Sequence, residues 1–296
     1  MPPKPLQGIL WMMATGLCFI AVTAVVKHSA QDLPAAEAAF LRYLLGLVFL
    51  LPVARTLLTT RMPARDIGFF AARGLVHSVA VILWFFAMTQ ITIAEVTAMN
   101  YLNPVYVTIG AAIFLGEPLA ARRIGAVVVA LIGTFVILRP GFREVEAGHL
   151  AMLATAMLFG ASYLLAKPLS DRHSASMVVG MLSVTVTIGL APFAFAVWVT
   201  PTLSDIGWMF LVAAFATAGH YAMTRAFAAA PVSVTQPVTF LQMVWALLLG
   251  WAFFDEPPDT YVVLGALLII ASVSFIAWRE ARLRRVVTPP TPATKV

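Results

Sequence analysis

Apolar residues run through this chain in stretches of about twenty, the length that a helix needs to cross hydrocarbon, with short polar breaks between them. They predict an all-α integral membrane protein of ten transmembrane helices, at 7–27, 34–54, 67–89, 93–115, 121–138, 148–167, 176–199, 206–228, 231–253 and 260–279. Breaks fall at Arg139-Pro140-Gly141, Thr200-Pro201 and Asp255-Glu256-Pro257-Pro258, where proline denies the backbone a helical continuation. The Pro- and Thr-rich tail, 286–296, is expected to be disordered and cytoplasmic. The first stretch follows Lys4 as a signal peptide would, but its apolar run is longer than a signal core and it takes part in the repeat.

Sliding the sequence by 140 superposes Gly8, Leu10, Met12, Ala14, Thr15, Phe19, Ala21 and Lys27 on Gly148, Leu150, Met152, Ala154, Thr155, Phe159, Ala161 and Lys167. Eight identities of mixed type in twenty positions exceed what two apolar helices share by chance. A shift of 139 pairs Phe114, Glu117 and Pro118 with Phe253, Glu256 and Pro257, and a shift of 140 pairs Gly125 with Gly265. The halves, 5–140 and 146–280, are therefore one duplication. With five spans each, the second enters the membrane from the opposite side, giving the inverted repeats found in secondary transporters.

Composition supports a membrane protein: 61% of residues are hydrophobic and 11% charged, against about 25% charged in a soluble domain. The net charge of +6 reads as topology rather than nucleic-acid binding. Fourteen Lys and Arg fall on one side of the ten spans and three, Lys27, Arg139 and Arg143, on the other. The excess marks the cytoplasmic side and puts both termini there. Cys18, the only cysteine, allows no intrachain disulfide.

Polar groups inside hydrocarbon are costly and usually face a bundle interior or a wet cavity. In the third span Arg73, His77, Trp84 and Met88 share one helical face, which reads as a cavity wall. Alternatively, Arg73 snorkels to the surface and His77 bonds a neighbouring helix. The fourth span carries Thr97, Asn100 and Asn103, and the equivalent ninth carries Gln236, Thr239 and Gln242. Amides both donate and accept, so these stripes, in helices interrupted by Pro104 and Pro237, are candidates for reading a neutral heterocycle. Interhelical hydrogen bonding is the other reading. His220 shares a face with Thr217 and Thr224, with Tyr221 beside it, while Tyr163 and Trp11 are candidate ring contacts or interfacial anchors. Glu37 and Arg42 are five apart, too far round the helix to pair well with each other. They are read as intramembrane charges with structural partners elsewhere, Arg42 on carbonyls or a carboxylate. Glu95, His77 and His220 are the titratable candidates for proton coupling. Glu117 and Glu256 read as loop and capping features.

No H-E-x-x-H, G-x-S-x-G or G-x-x-x-x-G-K-[ST] pattern occurs, so no catalytic or metal site, no cofactor and no ATP motor is expected. The repeat openings, Arg42 within Phe40-Leu41-Arg42-Tyr43, and the Glu-Pro pairs after the fourth and ninth spans resemble the EamA type of the drug/metabolite transporter superfamily, over residues 5 to 280. The resemblance implies a central cavity formed mainly by the third, fourth, eighth and ninth spans, with the first and sixth contributing. It also implies a small organic solute moved across the bacterial inner membrane by alternating access. Within that family the chain looks most like riboflavin or S-adenosylmethionine uptake carriers, with riboflavin preferred; an amino-acid carrier or exporter of the same fold is an alternative. A strongly anionic sugar nucleotide fits less well, since few deep cations besides Arg73 are expected at the cavity. The alternative of another class is a non-transporting membrane subunit. The partners expected are a small-molecule solute and the lipid bilayer, with no nucleic acid, and the chain is a monomer or a homodimer.

Overall fold

A computed structural model describes residues 4–30, 33–115, 121–142, 144–230 and 232–286, and no strand forms among them. The first span is α1 (Pro5–Ser29). The second is α2 (Ala35–Gly46), carried through a 3-10 turn (Leu47–Leu50) into α3 (Leu51–Thr59). Next come α4 (Ala64–Gln90), the pair α5 (Ile93–Asn100) and α6 (Asn103–Leu115), and α7 (Ala121–Leu138). The second half consists of α8 (Ala147–Ser170), α9 (Ala175–Ala196), α10 (Leu203–Ala229), the pair α11 (Val232–Thr239) and α12 (Leu241–Phe254), and α13 (Thr260–Val286). Among the described residues nine helices are long and apolar enough to cross a membrane. The tenth span is the α5–α6 pair. Large apolar side chains such as Leu10, Ile132, Phe135 and Leu267 are exposed on the outside of the bundle, where lipid, not water, is the solvent.

The fourth and ninth spans are broken at equivalent places. Pro104 has no N–H and disfavours helical geometry at Asn103, so the chain tightens just before it. Tyr101 N–H bonds to the Ala98 carbonyl, and Leu102 N–H to Met99, three residues back. In the ninth span Pro237 lies inside α11, and the break comes at Phe240, whose N–H bonds to the Pro237 carbonyl. Tyr101 and Phe240 correspond under the 139-residue shift, and their rings meet edge-on at 5.5 Å. The Tyr101 hydroxyl donates to the Thr239 carbonyl at 3.3 Å. The two breaks therefore abut at the centre of the bundle, where the halves are related to each other.

Each half packs on the other more than on itself. The α1–α10 packing is matched by α8–α4, α4–α9 by α2–α10, α6–α8 by α1–α12, and α5–α8 by α1–α11; α2–α9 and α7–α13 pair an element with its own counterpart, and α5–α12 joins the two broken spans. The identities that betray the duplication sit at these contacts. A Cβ on Gly8 would collide with Ala230 at the end of α10, and one on Gly148 would stand 2.8 Å from Gln90 and Ile91 at the end of α4. Met12 and its equivalent Met152 are both buried. Where α7 crosses α13, a Cβ on Gly133 would lie 2.7 Å from the Gly265 carbonyl oxygen, so the backbones touch there as small residues permit in membrane helices. Gly125, matched to Gly265 in the sequence, instead faces open space. Glu117 and the tail beyond Val286 lie outside the described residues.

Candidate functional site

Two polar regions occupy the space between the halves. The side of the bundle at which α1 begins is its near face, and the side at which α1 ends is its far face.

The central region lies between α1, α4, α8 and α10. His77 Nδ1 is 3.1 Å from Ser162 Oγ, and its ring lies 4.7 Å from Phe159. Trp84 meets the same phenylalanine edge-on at 6.1 Å. On the other side, His220 meets Phe19 edge-on at 5.1 Å. Phe19 and Phe159 are equivalent in the repeat, so the first helix of each half sets a phenylalanine against a histidine of the other half. Arg73, Arg42 and His220 all lie within electrostatic range of His77. Tyr163 is 50% exposed and His220 is exposed as well.

The charged groups expected in the spans separate. Glu37 is fully buried and accepts the Val199 N–H at 2.8 Å, tying α2 to the loop between α9 and α10 at the far face. Arg42, expected on a carbonyl or carboxylate, lies over the Tyr43 ring at 4.0 Å. Arg73 is 6% exposed and does not snorkel; its Nη1 donates to the Val178 carbonyl at 3.2 Å. Its charge neighbours are the phenols of Tyr163 and Tyr43. The amides of Asn100 and Asn103 bond each other across the break, Asn103 Nδ2 donating to Asn100 Oδ1 at 2.9 Å. Gln242, the equivalent of Asn103, packs on α1 at Gly16, where a Cβ would stand 3.1 Å from Gln242 Cγ. The side chain of Gln236 lies outside the described residues. Three buried polar atoms in this region have no protein partner: Arg73 Nε, Trp84 Nε1 and Asn103 Oδ1. Trp11 is drawn into a cluster of its own near the near face, edge-on to Tyr221 at 6.1 Å with Arg225 above it at 5.4 Å.

The second region, at the far face, holds none of the candidate residues proposed from the amide stripes. A cavity of about 310 Å³ is lined there by Lys27, Gln90, Thr92, Glu95, Glu146 and Glu256, among others. Asp255 adopts a left-handed conformation (φ 52°) that ends α12 and returns the Glu256 N–H to the Gly250 carbonyl. The turn delivers the Glu256 carboxylate to Lys27 of the other half at 2.8 Å. Lys27 also donates to the Ile91 carbonyl at 2.7 Å, and Glu256 accepts the Ile93 N–H at 2.9 Å. Glu256 is a loop residue that caps α5, as its sequence context suggests, and it is in addition a tie between halves. Beside it, Glu95 Oε2 accepts both N–H and hydroxyl from Thr92 in a capping box. His149 Nδ1 accepts the Glu146 N–H, so its proton sits on Nε2, which donates to Glu95 Oε1 at 3.3 Å. At the rim, burial alone would raise the Asp259 carboxyl. Hydrogen bonds from Arg139 and from the backbone N–H groups of Tyr261 and Val262 outweigh it and hold the group below the usual carboxylate range. Lys27 and Glu256 were findable in the sequence, since each is an ionisable residue repeated in the other half.

The sequence profile of the EamA-like transporter family matches residues 6–139 and again 146–278. The chain is 31% identical over 295 residues to a riboflavin transporter of Rhizobium johnstonii, covering 96% of this chain and 95% of that protein. It is 28% identical over 288 residues to a riboflavin transporter of Vibrio cholerae serotype O1, covering 95% and 96%. It is also 24% identical over 282 residues to an S-adenosylmethionine uptake transporter of Rickettsia prowazekii, covering 94% of each.

Proposed function

Because the chain belongs to the EamA-like transporter family, we propose that it carries riboflavin into a bacterial cell across the plasma membrane by alternating access. The observation that carries this reading is its likeness, along nearly the whole chain, to two riboflavin transporters. The central cavity supplies suitable chemistry. Trp84, Phe159 and Phe19 offer flat apolar contact, while Trp84 Nε1–H is an unpaired donor and Asn103 Oδ1 an unpaired acceptor. A heterocycle that both donates and accepts can satisfy the two at once.

The near face is the cytoplasmic one in this reading, because fourteen of the nineteen Lys and Arg residues lie on that side. Both termini are then cytoplasmic, and the far-face tie closes the external side. S-adenosylmethionine is the competing solute, by likeness to the Rickettsia carrier. Its net positive charge, from sulfonium and ammonium, is disfavoured beside Arg42 and Arg73, its single carboxylate offsetting only part of that repulsion. No chemical change of the solute is involved, so the protein acts as a carrier and not as an enzyme.

The test is counterflow in proteoliposomes made with the full chain. Labelled riboflavin is expected to accumulate against trapped unlabelled riboflavin. Exchange of S-adenosylmethionine with no exchange of riboflavin sinks the riboflavin assignment and keeps the carrier.

A further inference from the structure

Arg73 is the most costly side chain in the bundle to leave as it stands. It is 94% buried by surface area (6% exposed), sits well inside a membrane-spanning helix, and has one protein hydrogen bond, to the Val178 carbonyl. Its Nε–H has none. Arg42 lies near the same space with the Tyr43 ring as its partner. Among the described residues no carboxylate pairs with either guanidinium. The buried and half-buried acidic groups of the bundle have partners of their own: Asp66 with Arg172 and His173, Glu95 with His149, Glu256 with Lys27, Asp259 with Arg139, and Glu37, through one oxygen, with the Val199 amide. A buried guanidinium without a counter-ion is strongly unfavourable, and such groups inside membranes mark sites whose partner arrives from outside the chain.

The positions of the aromatic groups say where the rest of that partner lies. Trp84 is eleven residues beyond Arg73 on α4 (84 − 73 = 11), about 16 Å at 1.5 Å per residue. His77 and Phe159 fill the interval. We infer that the central cavity binds a solute with a flat ring system at one end and an anionic group, phosphate or carboxylate, at the other, the anion seated on Arg73 with Arg42 in support. This rests on the flavin reading for the identity of the ring but not for the anion. Arg42, expected on a carbonyl or carboxylate, pairs with neither among the described residues and lies within electrostatic range of His77 and His220, so it adds to the few deep cations expected there. A planar guanidinium whose Nε–H has no protein partner suits a phosphate or carboxylate oxygen better than a neutral acceptor.

Riboflavin and riboflavin 5′-phosphate differ by that anion alone, so binding of each is measured by thermal shift on the detergent-purified full chain. Inorganic phosphate against chloride at equal ionic strength serves as a flavin-free probe. Riboflavin 5′-phosphate is expected to bind about tenfold more tightly than riboflavin, and Arg73→Gln is expected to abolish the preference. Phosphate is expected to stabilise the native chain, with the effect lost in Arg73→Gln and partly restored in Arg73→Lys. If neither flavin binds while the phosphate response follows Arg73, the anion site stands and the flavin reading fails. Either Arg73-dependent response supports the inference, and the absence of both overturns it, with flavin binding or without. Should Arg73→Gln not fold, Arg42→Gln, expected to weaken both responses in part, decides by the same readouts.

Discussion

The far-face tie and the central region are built from the same kinds of residue in apolar helices, and they differ in how their charged groups are paired: Lys27, Glu95 and Glu256 meet opposite charges or hydrogen-bonding partners of the other half, whereas no carboxylate pairs with Arg73 or Arg42 among the described residues. At the far face Lys27 reaches a carboxylate and a carbonyl, Glu256 takes a backbone amide, and Glu95 collects donors from Thr92 and His149. In the cavity Arg73 Nε, Trp84 Nε1 and Asn103 Oδ1 are left open. An unsatisfied polar group in a low-dielectric interior costs free energy comparable to a lost hydrogen bond or more, so on the proposed reading the first set holds the structure and the second is satisfied when a solute binds. The comparison predicts that substitutions at the far face change stability and conformation, whereas those in the cavity change binding.

The largest effect is expected at Glu95. Glu95→Ala removes the acceptor for His149 Nε2–H and for Thr92 and leaves the fully buried His149 with an orphaned donor. The loss is about 3 kcal/mol or more, read as a lower melting temperature in detergent. A melt unchanged from the native chain would remove the saturated network from the account of stability. Next comes Lys27→Met, which cuts the ion pair and the bond to Ile91 while leaving each half intact. It is expected to open the far face, raising the labelling rate of a Leu247→Cys reporter by about tenfold, as loss of a partly buried ion pair of ~1.4 kcal/mol would. Cys18 is the only cysteine, so a Cys18→Ser background gives a single-site readout. Equal labelling with and without Lys27 would mean that the tie does not hold the face closed.

Trp84→Phe sharpens the cavity side. It keeps an aromatic ring against Phe159 and removes only a donor with no protein partner. Stability should hold, and affinity for the solute should fall about three- to tenfold, the value of one hydrogen bond. A lower melting temperature with unchanged affinity would move Trp84 from the second set to the first.

The ten spans were legible because apolar runs of bilayer length leave few alternatives, and the inverted architecture because ionisable and small residues recur at a constant offset. Gly8 and Gly148 are recognisable as equivalents for the same reason that they are needed: both sit where helices of opposite halves meet too closely for a side chain. The breaks were partly legible. Pro104 marks its break directly, but Pro237 lies inside α11 and the chain breaks at Phe240, where tertiary contact with Tyr101 decides the position. Which polar residues would be saturated was not legible at all. From the sequence Glu256 reads as a loop and capping feature and Arg42 as an intramembrane charge with a structural partner elsewhere. Only the left-handed turn at Asp255 brings one to Lys27, while the other is left over a tyrosine ring.

The smallest effect lies at the rim of the far face, where the comparison should fade because water can replace protein partners. Asp259 pairs with Arg139 and accepts the amides of Tyr261 and Val262, and these bonds depress its pKa. A carboxyl depressed on folding stabilises the protein at pH above its unfolded value, about 3.9. That contribution is lost as pH falls through the lower folded value. Melting temperature should therefore not respond to Asp259 ionisation between pH 5 and 8 on that principle, and the gap between the native chain and Asp259→Asn should narrow below roughly pH 4. Other carboxylates titrate in the same window, so the difference between the two proteins is the quantity to follow. A gap that is the same size at pH 6 and pH 3 would show that the pair is held by geometry alone. A gap of zero throughout would place Asp259 with the many surface ion pairs that contribute nothing measurable, and would confine the saturated region to Lys27, Glu95, His149 and Glu256.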